Sequence, residues 1–327
     1  MRVTNKMLSN SFLSDTRRNL ENMKAIQQQM TSGKLFSKPS DNPFKVARSM
    51  QLYTEMAANK QYNSNIQDTI NWLDTTDTAL KQGGNVLQRV RELMVSAGNG
   101  TYSPDECKKV KDEVNELVGQ FSQILNTNFD GKYVFGGTRG TTKPTTTALS
   151  GGNTQLVYNY TVNGGGVVTP VQAVQDANIG SKLKTEISQG VFVDYNVTAN
   201  EVINYGAGDL RTLFSKLVNH LDGNNDAGTA ADPNATSYIS GSDLTEMDSA
   251  INNLLKIRSQ VGARQNRMDS AQEQNTQQNY SMTEILSKNE DIDITEKTME
   301  YATMQTVYTA SLQTSARVLQ PSLLDYL

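Results

Sequence analysis

The sequence predicts a mainly α-helical protein with an inserted β-rich domain, in which elongated helical rods pack antiparallel. Apolar residues recur at three- and four-residue steps in both halves of the chain, and no proline occurs between Pro43 and Pro104. Between Thr138 and about Ser240 the composition changes to Gly, Thr, Val, Asn and Tyr. Hydrophobic residues make up 36% of the 327 residues and the mean hydropathy is −0.53, which suits helices that bury a narrow stripe.

The composition argues against several function classes. The net charge is −4 and the sequence pI is about 5.2, so the chain has no general electrostatic attraction to nucleic acid or anionic lipid. A single histidine makes a catalytic site built on histidine unexpected, and Cys107 alone excludes an intrachain disulfide or a multi-cysteine metal site. We therefore expect no enzyme activity, no catalytic residue, no cofactor, no metal site and no nucleic-acid partner.

The hydropathy profile bears on export. The residues after Met1 lack the apolar stretch of about 7–15 residues that a cleaved signal peptide needs. No run of about 18 apolar residues occurs anywhere in the sequence. We expect no membrane insertion, and export, if it occurs, without a cleaved signal peptide.

Weakly amphipathic helices are predicted at both ends of the chain. The first lies between Leu8 and Met30 and ends at Ser32-Gly33; its apolar positions are Leu13, Leu20, Met23 and Met30. The last follows Asn289-Glu-Asp-Ile-Asp-Ile-Thr295, and its apolar positions are Tyr301, Met304, Tyr308, Leu312 and Leu319. Because both helices are only weakly apolar, they should become ordered when assembly buries them.

Longer helices are predicted inside these two. Asn42 is a suitable N-cap and Pro43 a suitable first residue, so a long rod should run from residue 43 to 97. Ser103-Pro-Asp-Glu106 forms a capping box that opens a third helix. From Asp243 heptad steps return, and they allow antiparallel packing against the earlier rods through Leu244, Met247, Ile251, Leu254, Val261 and Met268.

The middle of the chain should form a compact sheet-containing insertion. Strands are predicted in Gln155–Val162 and Val191–Val197, where β-favouring residues alternate with polar ones. A short helix around Asp209 to Leu221 should interrupt the sheet, and Asp222–Pro233 should be a loop. The predicted domains are 1–42 plus 289–327 as terminal coiled-coil helices; 43–138 plus 241–288 as a helical rod domain with a hairpin at 129–138; and 139–240 as an outward-facing insertion.

Three segments carry a family resemblance. The first is Thr31-Ser-Gly-Lys34 with Pro39-Ser-Asp-Asn-Pro43 and Ala47-Arg48, and the second is Asn126-Thr-Asn-Phe-Asp-Gly-Lys-Tyr-Val-Phe-Gly-Gly-Thr138. The third comprises Gly262-Ala-Arg-Gln-Asn-Arg267, Asp291-Ile-Asp-Ile-Thr-Glu296 and the ending Leu324-Asp-Tyr-Leu327. In this order the segments resemble the flagellin superfamily, and more closely its hook–filament junction group. The proline-bounded turn Pro39–Pro43 and the aromatic ending favour the junction group over filament flagellins, and Asn42 departs from an aspartate of the family pattern.

The resemblance implies an assembly role for both ends of the chain. The terminal helices of the chain would pair as a coiled coil in an inner tube, the rods would form a shell, and the inserted domain would face outward. The implied subunit-interface residues are Leu13, Leu20, Met23, Met30, Tyr301, Tyr308, Leu312, Leu319, Leu324 and Leu327. The implied structural motif comprises Pro39, Asp41, Asn42, Pro43, Phe129, Gly131, Tyr133, Phe135, Gly136 and Gly137.

The function implied by the resemblance is that of a structural adaptor in the extracellular bacterial flagellum. It would join the hook-side hook-associated protein FlgK to flagellin, self-associate in a ring on the filament lattice, and leave unfolded through the flagellar type III channel. The export chaperone FlgN would hold its carboxyl-terminal helix. A filament flagellin is the near alternative. A cytoplasmic coiled-coil signalling module is the distant one, although its heptads would not be split by about a hundred strand-rich residues.

Five chemically suggestive features have simpler structural interpretations. Asp291–Thr295 fits the pattern of an aspartyl phosphoryl-transfer enzyme, but it is preceded by polar residues and better suits a helix cap at Asp293. The segment after Asp222 begins like a calcium loop but lacks its glycine and its bidentate glutamate. We interpret His220 as a surface or satisfied residue, Trp72 as packing, and Cys107 as incidental, although its place in a first helical turn would favour a lowered pKa.

Overall fold

The computed structural model describes residues 5–100, 102–161, 172–206 and 208–318. Contacts divide the chain into two units, which are described separately. The terminal unit contains Met1–Lys60 and Gln277–Leu327, and the larger unit contains Gln61–Thr276. The described helices are α1 (Asn5–Ser32), α2 (Pro43–Gly98), α3 (Pro104–Leu125), α4 (Gln172–Ile179), α5 (Ala199–Ile203), α6 (Leu210–Leu221), α7 (Ala235–Ser240), α8 (Ser242–Glu290) and α9 (Ile294–Val318).

The long helices begin where capping chemistry predicts. The side-chain oxygen of Asn42 accepts a hydrogen bond from the backbone N–H of Lys45 at 3.1 Å, so Asn42 caps α2. Ser103 and Glu106 form the reciprocal capping box of α3. Asp293 Oδ1 accepts from the N–H groups of Thr295, at 2.8 Å, and Glu296. The interpretation of Asp293 as a helix cap is therefore confirmed.

In the larger unit, α2 and α8 run antiparallel. Asp77 of α2 binds Arg258 of α8 through two hydrogen bonds of 3.0 and 3.1 Å. Further along α2, Arg91 bonds to Asp248, which lies earlier in α8. As the residue numbers rise along α2, the numbers of the residues that they bond on α8 fall, which confirms the predicted antiparallel packing. The predicted apolar positions of α8 face the core, with Met247, Leu254, Val261 and Met268 buried.

The strands form hairpins. β1 (Asn128–Phe129) pairs with β2 (Lys132–Tyr133), β3 (Thr145–Ser150) with β4 (Asn153–Tyr158), and β5 (Lys184–Ser188) with β6 (Val191–Asp194), each pair antiparallel. Among the described residues there is no larger sheet, so the expectation of one sheet interrupted by a helix is wrong. Each hairpin of the insertion buries only one or two large side chains and packs them on helices: Leu156, Tyr158, Ile187 and Val193. Val162, the end of one predicted strand, lies outside the described residues.

One core joins the insertion to the rods of the larger unit. Phe121 of α3 and Phe214 of α6 are fully buried with ring centroids 6.0 Å apart. The predicted helix at Asp209–Leu221 is confirmed as α6, and Asp209 caps it. Trp72 packs edge-to-face on Phe129 and Tyr195, which confirms its interpretation as a packing residue. Helices α4, α5 and α7 are not predicted from the sequence.

The structure also describes two titratable residues that the sequence singles out. His220 is buried and both of its ring nitrogens have partners, which confirms its interpretation as a surface or satisfied residue in favour of the second. Its Nδ1 lies 2.5 Å from Asp243 Oδ2, and its Nε2 lies 2.8 Å from Asp226 Oδ1. Asp226 belongs to the predicted loop, so this loop is tied to α6 through the imidazole. For Cys107, burial raises the pKa of the thiol, followed by repulsion from Glu106. This direction is opposite to the one that a first helical turn alone favours, and the interpretation of Cys107 as incidental stays a prediction.

Candidate assembly surface

The terminal unit joins the two ends of the chain through backbone contacts. Lys34 and Asp291 form an antiparallel bridge, in which Leu35 N–H donates to Glu290 C=O at 2.7 Å and Ile292 N–H to Gly33 C=O at 3.1 Å. Gly33 has φ of 71°, a left-handed conformation that ends α1 at low steric cost. Because the bridge places the end of α1 beside the start of α9, and the two helices contact each other, they run antiparallel.

A buried carboxylate anchors this junction. Glu290, at the end of α8, is 5% exposed and forms an ion pair with Lys34. The Tyr53 hydroxyl lies 3.0 Å from Lys34 Nζ and 3.2 Å from both Glu290 oxygens. The hydrogen bond to Glu290, followed by the one to Tyr53, raises the pKa of Lys34. We call Lys34, Tyr53 and Glu290 the Lys34 cluster.

The proline-bounded turn has its own support. Asp41 Oδ2 accepts hydrogen bonds from the backbone N–H groups of Lys38 and Ser37, at 3.0 and 3.1 Å. These bonds lower the pKa of the Asp41 carboxyl, with the Lys38 bond contributing most. Pro43 is the first residue of α2, where its missing N–H leaves no donor unpaired. The motif residues Pro39 to Pro43 thus fix the entry into α2.

The second segment of the family resemblance, residues 126–138, contains the first hairpin and packs against α4. Asp130 and Gly131 both have positive φ, and Asn128 Oδ1 accepts from Gly131 N–H at 3.1 Å. Gly137 has φ of 59°, and a Cβ there would lie 2.4 Å from the carbonyl oxygens of Asn178 and Ile179. A Cβ on Gly136 would lie 2.8 Å from the carbonyl oxygen of Arg139. Phe135 is fully buried, Phe129 packs on Trp72, and Tyr133 is partly exposed at the end of β2.

The inward faces of α1 and α9 follow a heptad spacing but are thin. Among the side chains that the structure describes, the partly or fully buried ones are Ser9, Phe12, Thr16, Asn19, Met23, Ile26, Gln29 and Met30 on α1, and Lys297, Glu300, Tyr301, Met304, Tyr308, Ser311 and Ser315 on α9. Only Ile26 among these side chains is buried. Eight of these fifteen positions are polar, so this pair of helices buries little apolar surface by itself.

Large apolar side chains on the same helices face solvent. Leu13 is 51% exposed and Leu20 is 41% exposed; being seven residues apart, they lie on one face of α1. On α9 the exposed apolar residues are Ile294, Met299, Val307 and Leu312. By contrast, the buried apolar residues that the structure describes in the terminal unit are only Ile26, Phe36 and Leu52. We call the exposed apolar residues of α1 and α9 the outward face.

The predicted interface residues thus fall into three groups. Leu13, Leu20 and Leu312 lie on the outward face, whereas Met23, Met30, Tyr301 and Tyr308 lie on the inward faces. Leu319, Leu324 and Leu327 lie outside the described residues. A role of these residues in subunit contacts stays a prediction.

Comparisons with known proteins find matches in both end regions of the chain. A model of the bacterial flagellin N-terminal helical region matches residues 3–139. A model of the bacterial flagellin C-terminal helical region matches residues 244–327. The chain belongs to the flagellin superfamily. These two matches leave out the middle of this flagellin-family chain, in which the sequence predicts the insertion.

Relatives of two kinds align with this flagellin-family chain over most of its length. A flagellin of Bacillus subtilis is 26% identical over 92% of the chain and 90% of its own length. Flagellar hook-associated protein 3 of Escherichia coli is 22% identical over 87% of the chain and 86% of its own length. A solved structure titled as a putative flagellar hook-associated protein from Vibrio parahaemolyticus matches with a TM-score of 0.61 and 19% identity, covering 77% of the chain and 100% of that structure. This structure supports the fold.

Several residues that organise the flagellin-family chain are missed by sequence reasoning. Tyr53 and Glu290 lie 237 positions apart, and no local pattern connects them with Lys34. The charged positions Asp77 and Arg91 interrupt the apolar spacing of α2, which is a signal that each needs a partner on a neighbouring helix. In the described part of the chain, no helix is both long and apolar enough to cross a membrane.

Proposed function

We propose that this chain is a structural adaptor of the bacterial flagellum that joins the hook to the flagellin filament. The observation that carries the proposal is the outward face. Leu13, Leu20 and Ile294 are exposed on helices whose inward faces bury little apolar surface. Ile294 is 62% exposed. Because the family is one of structural flagellar proteins, neighbouring subunits are the natural source of the missing core.

Two observations favour the junction over the filament. The turn Pro39–Pro43 is proline-bounded and is held by Asp41, as expected for the junction group. Hook-associated protein 3 of Escherichia coli aligns over 87% of the chain, and the likeness in fold includes a solved structure titled as hook-associated. A filament flagellin remains the competing function, because the Bacillus subtilis flagellin aligns over a similar length.

The proposal includes specific partners. We infer contacts with FlgK on the hook side and with flagellin on the filament side, ring formation by copies of the chain, and an extracellular location after type III export. Before assembly, the exposed side chains of α9 would be the site for the chaperone FlgN. We also retain the three-domain division at residues 42, 138, 240 and 288 as part of this proposal.

Seeded growth separates the two functions. Purified chain is added to isolated hooks that carry FlgK and, separately, to filament fragments, and the products are imaged by electron microscopy. A junction adaptor should add a short segment of limited length to hooks and should enable flagellin, added afterwards, to polymerise there. Long filaments of this chain alone would contradict the junction assignment and support a flagellin.

Matched variants link the assay to the outward face. Leu13→Ser with Leu20→Ser should abolish addition to hooks, because two apolar side chains at the contact are lost. Lys24→Ser, an exposed polar position on the same helix, should add normally. Thermal unfolding followed by circular dichroism should be unchanged in both variants. Normal addition by the double variant would contradict a contact role for this face.

A further inference from the structure

The larger unit contains a groove with an aromatic floor. Its floor is formed by Trp72 of α2, Phe129 of the first hairpin and Tyr195, which follows β6. Trp72 contacts both other rings edge-to-face, with centroid distances of 6.0 Å to Phe129 and 5.7 Å to Tyr195. The volume is about 610 Å³, within the range of small-molecule pockets and therefore large enough for an aromatic side chain. We call this the aromatic groove.

The edge of the aromatic groove carries charged side chains that have no ion-pair partner among the described residues. It contains two carboxylates, Asp68 and Asp130, and two ammonium groups, Lys132 and Lys184. None of the four forms an ion pair or a side-chain hydrogen bond with a described residue. By comparison, Asp77, Arg91 and Arg258 of the same unit are all paired. The groove therefore combines an apolar floor with charges of both signs that are free for a ligand.

A complementary segment exists on the same chain, in the terminal unit. Phe44 is 92% exposed, although it lies in the first turn of a well-capped helix. Exposed acidic and basic side chains flank it: Asp41 before it, and Lys45 and Arg48 after it. Asp41 is held by backbone N–H groups, so the segment has a defined conformation before it binds.

We propose that the aromatic groove of one subunit receives Phe44 of a second copy of this chain. The aromatic ring would pack on Trp72 and Tyr195, Lys45 and Arg48 would approach Asp68 and Asp130, and Asp41 would approach the two lysines. The inference rests on the proposed function, because assembly brings copies of the chain side by side. It deepens that function by naming a contact outside α1 and α9.

Intermolecular cross-linking tests the contact. In a Cys107→Ser background, one chain carries Phe44→Cys and another carries Thr185→Cys, which lies on the groove lining. The two chains are mixed, assembled on hooks and treated with a short bifunctional maleimide. Because each chain has one cysteine, a product of twice the chain mass is intermolecular, and we expect it only when both substitutions are present.

The control replaces the groove cysteine by Leu149→Cys, which is 82% exposed at the tip of the β3–β4 hairpin. We expect at least about tenfold less cross-linked product with this control. Equal yields for Thr185→Cys and Leu149→Cys would overturn the inference, as would cross-linking of Thr185→Cys to the hook-side protein or to flagellin. In these cases attachment seen by electron microscopy would leave the proposed function intact. Failure of the unsubstituted chain to attach would overturn both.

Charge reversal provides a second test that does not depend on cysteine. Lys45→Glu should lower the affinity for hook ends about tenfold, and adding Asp68→Lys should restore it, since the pair is reversed across the contact. Both residues are exposed, and unfolding of the free chain should be unchanged. Additive losses in the double variant would contradict a direct pairing.

Discussion

Gly137 is a position at which a single methyl group would disturb the larger unit. Its φ is positive, and a Cβ would approach two carbonyl oxygens at the end of α4 to 2.4 Å. We expect Gly137→Ala to reduce the free energy of unfolding by at least about 2 kcal/mol, from backbone strain and the clash. Urea unfolding of the purified chain measures this change.

Gly119 provides the matched control within α3. It has no heavy atom within 4 Å of an added Cβ and lies inside a helix. Gly119→Ala should therefore increase the free energy of unfolding by about 0.5–1 kcal/mol. Equal effects of the two substitutions would contradict the packing of Gly137 against α4.

Asp243 gives the larger unit a pH dependence with a defined sign. Its carboxyl is buried beside His220, and burial raises its pKa above the ordinary value of 3.8, although the hydrogen bond to His220 opposes the shift. The folded state thus binds this proton more tightly than the unfolded state does. The resulting stabilisation is complete below pH 3.8 and is lost as pH rises through the raised pKa.

Comparison with Asp243→Asn isolates this effect. The free energy of unfolding of the unsubstituted chain minus that of the variant should decrease as pH rises from below 3.8 through the raised pKa. Urea unfolding across this pH range is the measurement. A difference that instead increases with pH would show that the hydrogen bond to His220 outweighs the effect of burial on Asp243.

At the scale of elements, the sequence predicts helices well where capping chemistry is explicit. Asn42, Ser103 and Asp293 each accept backbone hydrogen bonds at the start of a helix, as their residue types predict. Helices α4, α5 and α7 have 8, 5 and 6 residues, so they are too short to show helical periodicity. The hairpin near residues 129–138 is predicted, whereas β3 is missed because only Thr145 of its six residues is buried, so the strand lacks the alternation of apolar and polar residues that marks a half-buried strand.

The pair formed by Asp77 and Arg258 tests the antiparallel register of α2 and α8. Both side chains are about one-third exposed and are joined by two hydrogen bonds. We expect a double-mutant cycle with Asp77→Ala and Arg258→Ala to give a coupling energy of about 0.5–1 kcal/mol, which solvent screening keeps small. A cycle that pairs Asp77→Ala with Lys256→Ala, a neighbour on α8, should give no coupling. Equal coupling in both cycles would contradict the register.

For the whole molecule, the amino-terminal and carboxyl-terminal motifs predict the family, and the structure adds what they do. Gly33 ends α1 and its carbonyl accepts from Ile292, while Lys34 neutralises the buried Glu290. These contacts cannot be predicted by local periodicity because they link residues more than 200 positions apart. The interface residues are predicted as one set, whereas the structure divides the described ones between inward and outward faces.

The terminal unit carries the central claim, that α1 and α9 obtain their missing core from neighbouring subunits. Hydrogen–deuterium exchange with mass spectrometry, in the free chain and on hooks, measures this directly, with α3, whose apolar face is buried, as an internal reference. We predict rapid exchange in α1 and α9 of the free chain, slow exchange in α3, and strong protection of α1 and α9 after assembly. Exchange in α1 and α9 that is already as slow as in α3, or that assembly leaves unchanged, would contradict the claim.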